Sequence, residues 1–209
     1  MARLLKGKDV IDSLNISLKE RVDRLKEKNV TPTLAIIRVG ERPDDLSYEK
    51  GAVKRCQQVG VEVRVTALPE SIEELDYFRK IEELNQDSSI HGILILRPLP
   101  KGIDEAKARN LLKPEKDVDG CTDLSLAGVF IGSDLGFAPC TAEAAMEILK
   151  YYNISLAGKR VAVIGRSLVI GRPVAMMLMH ENATVTICHT KTSDIPAIPQ
   201  NADIVLLAS

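Results

Sequence analysis

Near-continuous runs of aliphatic, β-branched residues alternate with helix-period stretches along this chain, and that alternation constrains the fold more than any other feature. Thr33–Val39 (TLAIIRV), 92–96 (GILIL) and Arg160–Ile164 (RVAVI) read as strands. A strand without polar alternation is buried on both faces, as in a parallel sheet covered by helices. Between these runs, residues 9–28 read as an amphipathic helix, and 45–59 as a helix stopped by Gly60. Residues 61–67 read as a strand, and Ser71 opens a helix with Glu74 completing a capping box. Helices are expected over 104–112, 142–152 and 171–181, with strands at Thr184–Cys188 and 204–208. A short polar, proline-containing segment joins those last two strands. Strand–helix repetition of this kind implies an α/β architecture with right-handed crossovers. The stretch 113–141, KPEKDVDGCTDLSLAGVFIGSDLGFAPCT, is rich in Gly, Asp and Pro and reads as loops between two lobes. The expected division is 1–138 and 139–209.

A length of 209 residues allows one large domain or two small ones. With 45% hydrophobic and 27% charged residues, the chain can bury a core, and its net charge of -1 argues against a nucleic-acid or anionic-membrane partner. The N-terminal residues show no apolar run long enough for a signal peptide or a membrane span. Cys56, Cys121, Cys140 and Cys188 form no CxxC pair, which argues against a disulfide framework or zinc site and fits a reducing cytoplasm. His91, His180 and His189 are too scattered to suggest a metal site.

The segment RVAVIGRSLVIGRP at 160–173 reads as a strand, a glycine turn and a helix start. Gly165 permits a sharp turn and Gly171 a close helix approach. The helix N-terminus offers unpaired N–H groups to a diphosphate. The spacing is G-x5-G rather than G-x-G-x-x-G, so an ordinary βαβ turn is the competing reading. The next strand ends in His189, Thr190, Lys191 and Thr192, without the carboxylate that an NAD site places there. Arg166 in the glycine loop, assisted by the Thr190 hydroxyl, suits a 2′-phosphate and favours NADP. A solvated surface cation is the alternative for Arg166.

Taken in order, VGERPDDLSYEKGAVKRCQQVGV (39–61), GILILRPLP (92–100), KPEKDVDG (113–120), PCT (139–141) and GRSLVIGRP followed by ATVTICHTKT (183–192) resemble the methylenetetrahydrofolate dehydrogenase/cyclohydrolase family. The resemblance runs through the whole chain in the family's spacing. It implies an N-terminal α/β folate lobe and a C-terminal Rossmann-like NADP lobe around a cleft. It also implies tetrahydrofolate derivatives as substrates and a homodimer formed through the nucleotide lobe. The nucleotide lobe is expected to be truncated at its C-terminal end, because the family's folate-side loop and returning helix have no counterpart here.

By resemblance, Tyr48 stacks on the folate ring system and Asp119 hydrogen-bonds the pterin, the pair forming the catalytic set. Pro98 and Leu99 line the folate pocket. Thr141, Gly165, Arg166, Ser167, Ile170, Gly171, His189 and Thr190 hold NADP. On the residues alone, Tyr48 is open to a core-packing role and Asp119 to a turn-forming one, the commoner role for Asp before Gly.

Two departures bear on the chemistry. Bifunctional members of the family carry Tyr-x-x-x-Lys, so that i and i+4 share a helix face. Here the fourth residue after Tyr48 is Ala52. At about 100° per residue, Lys50 and Lys54 lie roughly 200° and 240° from Tyr48 and read as a solvated face. Arg55 returns to the Tyr48 face, but guanidinium is a poor proton shuttle. The family's glutamine in the third strand is replaced by Leu96. Hydride transfer needs two bound molecules in alignment, whereas ring opening by water needs a positioned group to move protons. The expectation is therefore a methylenetetrahydrofolate dehydrogenase with weak or absent cyclohydrolase. The alternatives are a bifunctional enzyme that uses Arg55 or an ordered water, and a non-catalytic folate or nucleotide binder. A two-lobed dehydrogenase of the shikimate type is disfavoured, since no Lys–Asp catalytic pair is evident.

Overall fold

The structure is a computed structural model that describes residues 4–208. The chain forms two compact units, one comprising Ile11–Thr122 and the other the stretch from Asp123 onward with the N-terminal residues up to Val10. Each contains a three-stranded, wholly parallel sheet.

The Ile11–Thr122 unit contains most of helix α1 (Gly7–Glu27), strand β1 (Thr33–Val39), helix α2 (Pro43–Val59), β2 (Glu62–Leu68), α3 (Glu74–Gln86), β3 (Gly92–Ile95) and α4 (Glu105–Asn110). The sheet order is β2-β1-β3. Parallel neighbours cannot be joined by hairpins, so each crossover carries a helix. Central β1 is the apolar run of the sequence, and Ala35, Ile36 and Ile37 have no exposed surface. Ala35, Ile37 and Val39 point to one face, where they pack with Tyr77, Ile81, Ile93 and Ile95. Gly60 ends α2 in the left-handed conformation at φ 87°, and its N–H returns to the Cys56 and Gln57 carbonyls.

The other unit contains α5 (Asp123–Ile131), α6 (Cys140–Tyr151), β4 (Arg160–Ile164), α7 (Gly171–His180), β5 (Thr184–Cys188), α8 (Ala197–Gln200) and β6 (Ile204–Leu207). Its sheet order is β5-β4-β6. Val161 and Val163 of β4 pack with Val174, Ala175 and Leu178 of α7. Among the described residues, no helix is long and apolar enough to cross a membrane.

Two local expectations are corrected, and a third segment gains detail. Ser71 and Glu74 do not form a capping box. Ile72 N–H turns back to the Pro69 carbonyl, the helix starts at Glu74, and the Glu74 carboxylate instead accepts the Asp104 N–H at 2.7 Å. The stretch 113–141 is not all loop, because it holds a 3-10 turn at Pro114–Lys116 and the nine-residue helix α5. That helix turns small residues inward: Ser125 and Gly128 are buried while Leu124, Phe130 and Ile131 are exposed. A search for an inward apolar stripe cannot find such a helix. A Cβ on Gly128 would lie 2.1 Å from the Leu135 carbonyl oxygen, so only glycine fits that approach. Finally, the polar segment before β6 contains the single-turn helix α8.

Candidate functional site

At the carboxyl ends of β1 and β3 lies a hollow of about 390 Å³, where open α/β sheets bind their ligands. Its lining includes Arg42, Asp45, Tyr48, Leu96, Arg97 and Asp119. Tyr48 and Asp119, far apart in sequence, are thus brought to one cavity. Tyr48 is 58% exposed, which removes the core-packing reading for this side chain.

The helix bearing Tyr48 is held by its neighbours. Arg38 donates from Nε to Glu49 Oε2 at 2.8 Å, with the two side chains 8% and 17% exposed, and also reaches the Gly40 carbonyl. Pro43 opens α2, and Asp44 and Asp45 lie in its first turn, where carboxylates complement the helix dipole.

Asp119 is held by the DVDG turn. Asp117, fully buried, accepts the backbone N–H groups of Cys121 at 3.1 Å and Thr122 at 2.8 Å. A bridge between Ile93 and Asp117 sets this turn beside β3. Burial first, and the Asp117 carboxylate second, push the Cys121 thiol up to about 12. Arg97 Nη2 meets Asp119 Oδ2 at 3.1 Å.

Leu96 is 6% exposed and lines the same cavity, while Ala52 follows one turn after Tyr48 on α2 and is half-buried. Lys50 and Lys54 are exposed, and Arg55 is half-buried. Pro98 borders a neighbouring hollow of about 300 Å³ with Gly40, Arg42 and Glu70. Leu99 turns toward the hydrophobic core and lines neither hollow. Two hydrogen bonds brace this turn: Arg42 Nη1 donates to the Pro98 carbonyl at 2.8 Å, and Leu99 N–H donates to Glu105 Oε2 at 3.1 Å. Arg42 and Arg97 are the functional candidates that reading the residues missed. For Arg97 the available signal was a charged residue directly before the proline of an otherwise apolar strand end.

The second candidate site is at the carboxyl ends of β4 and β5. Gly165 has φ 126°, and a Cβ there would lie 2.3 Å from the Ala208 carbonyl oxygen. A Cβ on Gly171 would lie 2.2 Å from the Gly165 carbonyl oxygen, so α7 begins hard against the strand end. Ser167 Oγ accepts the Ile170 N–H at 3.1 Å, shaping the loop ahead of the helix. Arg166 and Ser167 are exposed on it. Gly165 N–H bonds to the Cys188 carbonyl at 2.8 Å, bringing the glycine loop beside the end of β5. His189 N–H is held by Thr192 Oγ1 at 2.9 Å, Thr190 is exposed, and 189–192 contains no carboxylate. Thr141 lies exposed in the first turn of α6. Tight glycine contacts, a helix N-terminus and an exposed cation fit a dinucleotide carrying an extra phosphate. Among the described residues, no group of three or more His, Cys, Asp and Glu side chains is arranged to hold a metal ion.

Residues 5–119 match the family model for the tetrahydrofolate dehydrogenase/cyclohydrolase catalytic domain, and residues 139–209 match that for its NAD(P)-binding domain. The chain is 50% identical over 208 residues to the bifunctional protein FolD of Carboxydothermus hydrogenoformans, covering all of this chain and 72% of that protein. It superposes with a TM-score of 0.94 on the bifunctional FolD enzyme of Campylobacter jejuni, at 37% identity, covering 99% of this chain and 73% of the other. The dehydrogenase-cyclohydrolase of Trypanosoma brucei, solved with NADP and an inhibitor, gives a TM-score of 0.89 at 33% identity, covering all of this chain and 72% of the other.

Proposed function

Because the chain belongs to the tetrahydrofolate dehydrogenase/cyclohydrolase family, we propose that it oxidises 5,10-methylenetetrahydrofolate to 5,10-methenyltetrahydrofolate with NADP and has little or no cyclohydrolase activity. NADP, when bound, supplies the nicotinamide that accepts a hydride from the methylene carbon. The folate nitrogens flanking that carbon stabilise the cation themselves, so the chain's task is alignment. Tyr48 offers an exposed aromatic face to the folate rings, and Asp119 a carboxylate to their N–H donors. Gly165, Ser167, Ile170 and Gly171 shape the diphosphate cradle. Arg166 and Thr190 meet the 2′-phosphate, and the absence of an acidic residue at 189–192 favours NADP over NAD. Thr141 and His189 complete the proposed cofactor set.

Loss of the second activity rests on one observation: Leu96, a hydrocarbon, lines the Tyr48 cavity, and Ala52 stands where a lysine would share the Tyr48 face. Ring opening requires protons to be moved at the one-carbon bridge, and neither residue holds or releases a proton. The relatives' name, bifunctional protein, favours the competing reading in which Arg55 or a water takes the lysine's place. Rates measured on one preparation decide between them. NADPH should form from methylenetetrahydrofolate, and methenyltetrahydrofolate should disappear no faster than in buffer. Hydrolysis well above the spontaneous rate would overturn the single-activity reading. Absence of NADPH formation would overturn the dehydrogenase itself and leave a binding protein. The proposed assembly is a homodimer, which sedimentation equilibrium tests.

A further inference from the structure

Arg97 stands in the substrate cavity with no part in the chemistry above. It directly follows Leu96 and lines the same hollow. Its guanidinium spans two carboxylates, with Nη2 3.1 Å from Asp119 Oδ2 and Nη1 3.9 Å from Glu105 Oε1. The Arg97 and Asp119 side chains are 25% and 28% exposed, so the contact is largely shielded. Exposed ion pairs contribute little. A shielded guanidinium is different, because its planar fork fixes the direction of the carboxylate it holds.

The anchor behind Arg97 is itself tethered. Glu105 lies in the first turn of α4, and its Oε2 accepts the Leu99 N–H at 3.1 Å. The far side of the same turn is held by Arg42 on the Pro98 carbonyl. Asp119 is therefore fixed from two directions: its backbone by the Asp117-centred turn, its carboxylate by Arg97.

We propose that Arg97 is a positioning residue for substrate recognition, holding the Asp119 carboxylate in the rotamer that receives the N–H groups of the pterin's aminopyrimidine ring. This rests on the reading of the cavity as the folate site. An alkyl side chain at 97 would leave the Asp119 backbone in place but remove the guanidinium's hold on its carboxylate, so recognition weakens more than chemistry does.

The test is a double-mutant cycle on Arg97→Leu and Asp119→Ala, with Arg97→Lys as the conservative variant. Tetrahydrofolate affinity is measured by calorimetry alongside steady-state KM and kcat for methylenetetrahydrofolate and NADP. Arg97→Leu should weaken tetrahydrofolate binding and raise the folate KM on the order of tenfold, with a smaller fall in kcat and little change in the NADP KM. Arg97→Lys should recover part of the loss, and the double variant should bind no worse than Asp119→Ala alone. Independent, additive losses would overturn the proposal. So would equal rises in both KM values that track a falling melting temperature, or unaltered binding in Arg97→Leu. A wild-type protein that binds tetrahydrofolate with the coupling intact but forms no NADPH would remove the dehydrogenase reading and leave this one standing. Failure of the wild type to bind tetrahydrofolate would remove both.

Discussion

Glu49, the residue after Tyr48, accepts a 2.8 Å bond from Arg38 near the end of β1. This pair ties the helix that presents the aromatic side chain to the central strand of its sheet. Both partners are mostly buried, and removal of either leaves the other's charge uncompensated. Glu49→Ala should destabilise the protein by on the order of 3 kcal/mol. Urea denaturation measures the loss, and a change below the experimental error would show that the pair does not anchor α2.

Leu96→Gln and Ala52→Lys should interact favourably. Glutamine alone at the 6%-exposed Leu96 position buries an amide and should cost about 1–3 kcal/mol. Adding Ala52→Lys supplies a partner, so the double variant should be more stable than the sum of the singles predicts. It should also hydrolyse methenyltetrahydrofolate at least about tenfold faster than the parent. A double variant with no gain in hydrolysis would mean that these two positions do not explain the missing activity.

Gly171→Ala should raise the Kd for NADP by on the order of tenfold or more, because its methyl would meet the Gly165 carbonyl 2.2 Å away and push α7 off the strand end. Gly158→Ala is the control. Gly158 has positive φ, 74°, which Gly171 lacks, but nothing lies within 4 Å of a Cβ there. It should cost about 1 kcal/mol of stability and leave NADP titrations unchanged.

Cys121 makes the fold sensitive to alkali. Its pKa is raised above the ordinary thiol value of 9.0 to about 12, so the protonated thiol is the form that the folded state favours. The corresponding stability is fully present below pH 9.0 and is lost as pH rises from there through about 12. Cys121→Ser, which does not titrate in that range, should flatten the decline in melting temperature over the alkaline limb. At pH 8 a thiol reagent should label exposed Cys140 well before buried Cys121. Equal labelling of the two in the folded protein would contradict the burial of Cys121.

Asp117→Ala should unfold the turn that carries Asp119. The substitution leaves the N–H groups of Cys121 and Thr122 without their carboxylate acceptor in a buried place, a cost of about 3 kcal/mol. Loss of tetrahydrofolate affinity should accompany the fall in stability, whereas Asp119→Asn should lose affinity with little change in stability. Calorimetric titration and thermal melts on both variants separate the two roles.

Periodicity alone placed the strands. TLAIIRV and RVAVI became strands at the predicted residues, because a run with no polar alternation can satisfy its backbone and bury both faces only inside a parallel sheet. TVTIC became a strand too, but as an alternating edge strand that keeps Thr184 and Thr186 exposed. The glycine turn after β4 was legible for a similar reason, since few residues other than glycine tolerate so close a backbone approach. The capping arrangement at Glu74, the helix at Asp123–Ile131 and the neighbours of Asp119 were decided elsewhere. Glu74 spends its carboxylate on a residue thirty positions away, α5 hides small side chains rather than large ones, and Arg97 reaches Asp119 across twenty-two residues. Local patterns report what a residue does to its own backbone. Which carboxylate meets which cation depends on how crossovers fold distant strand ends together, and that exists only once the sheet is assembled.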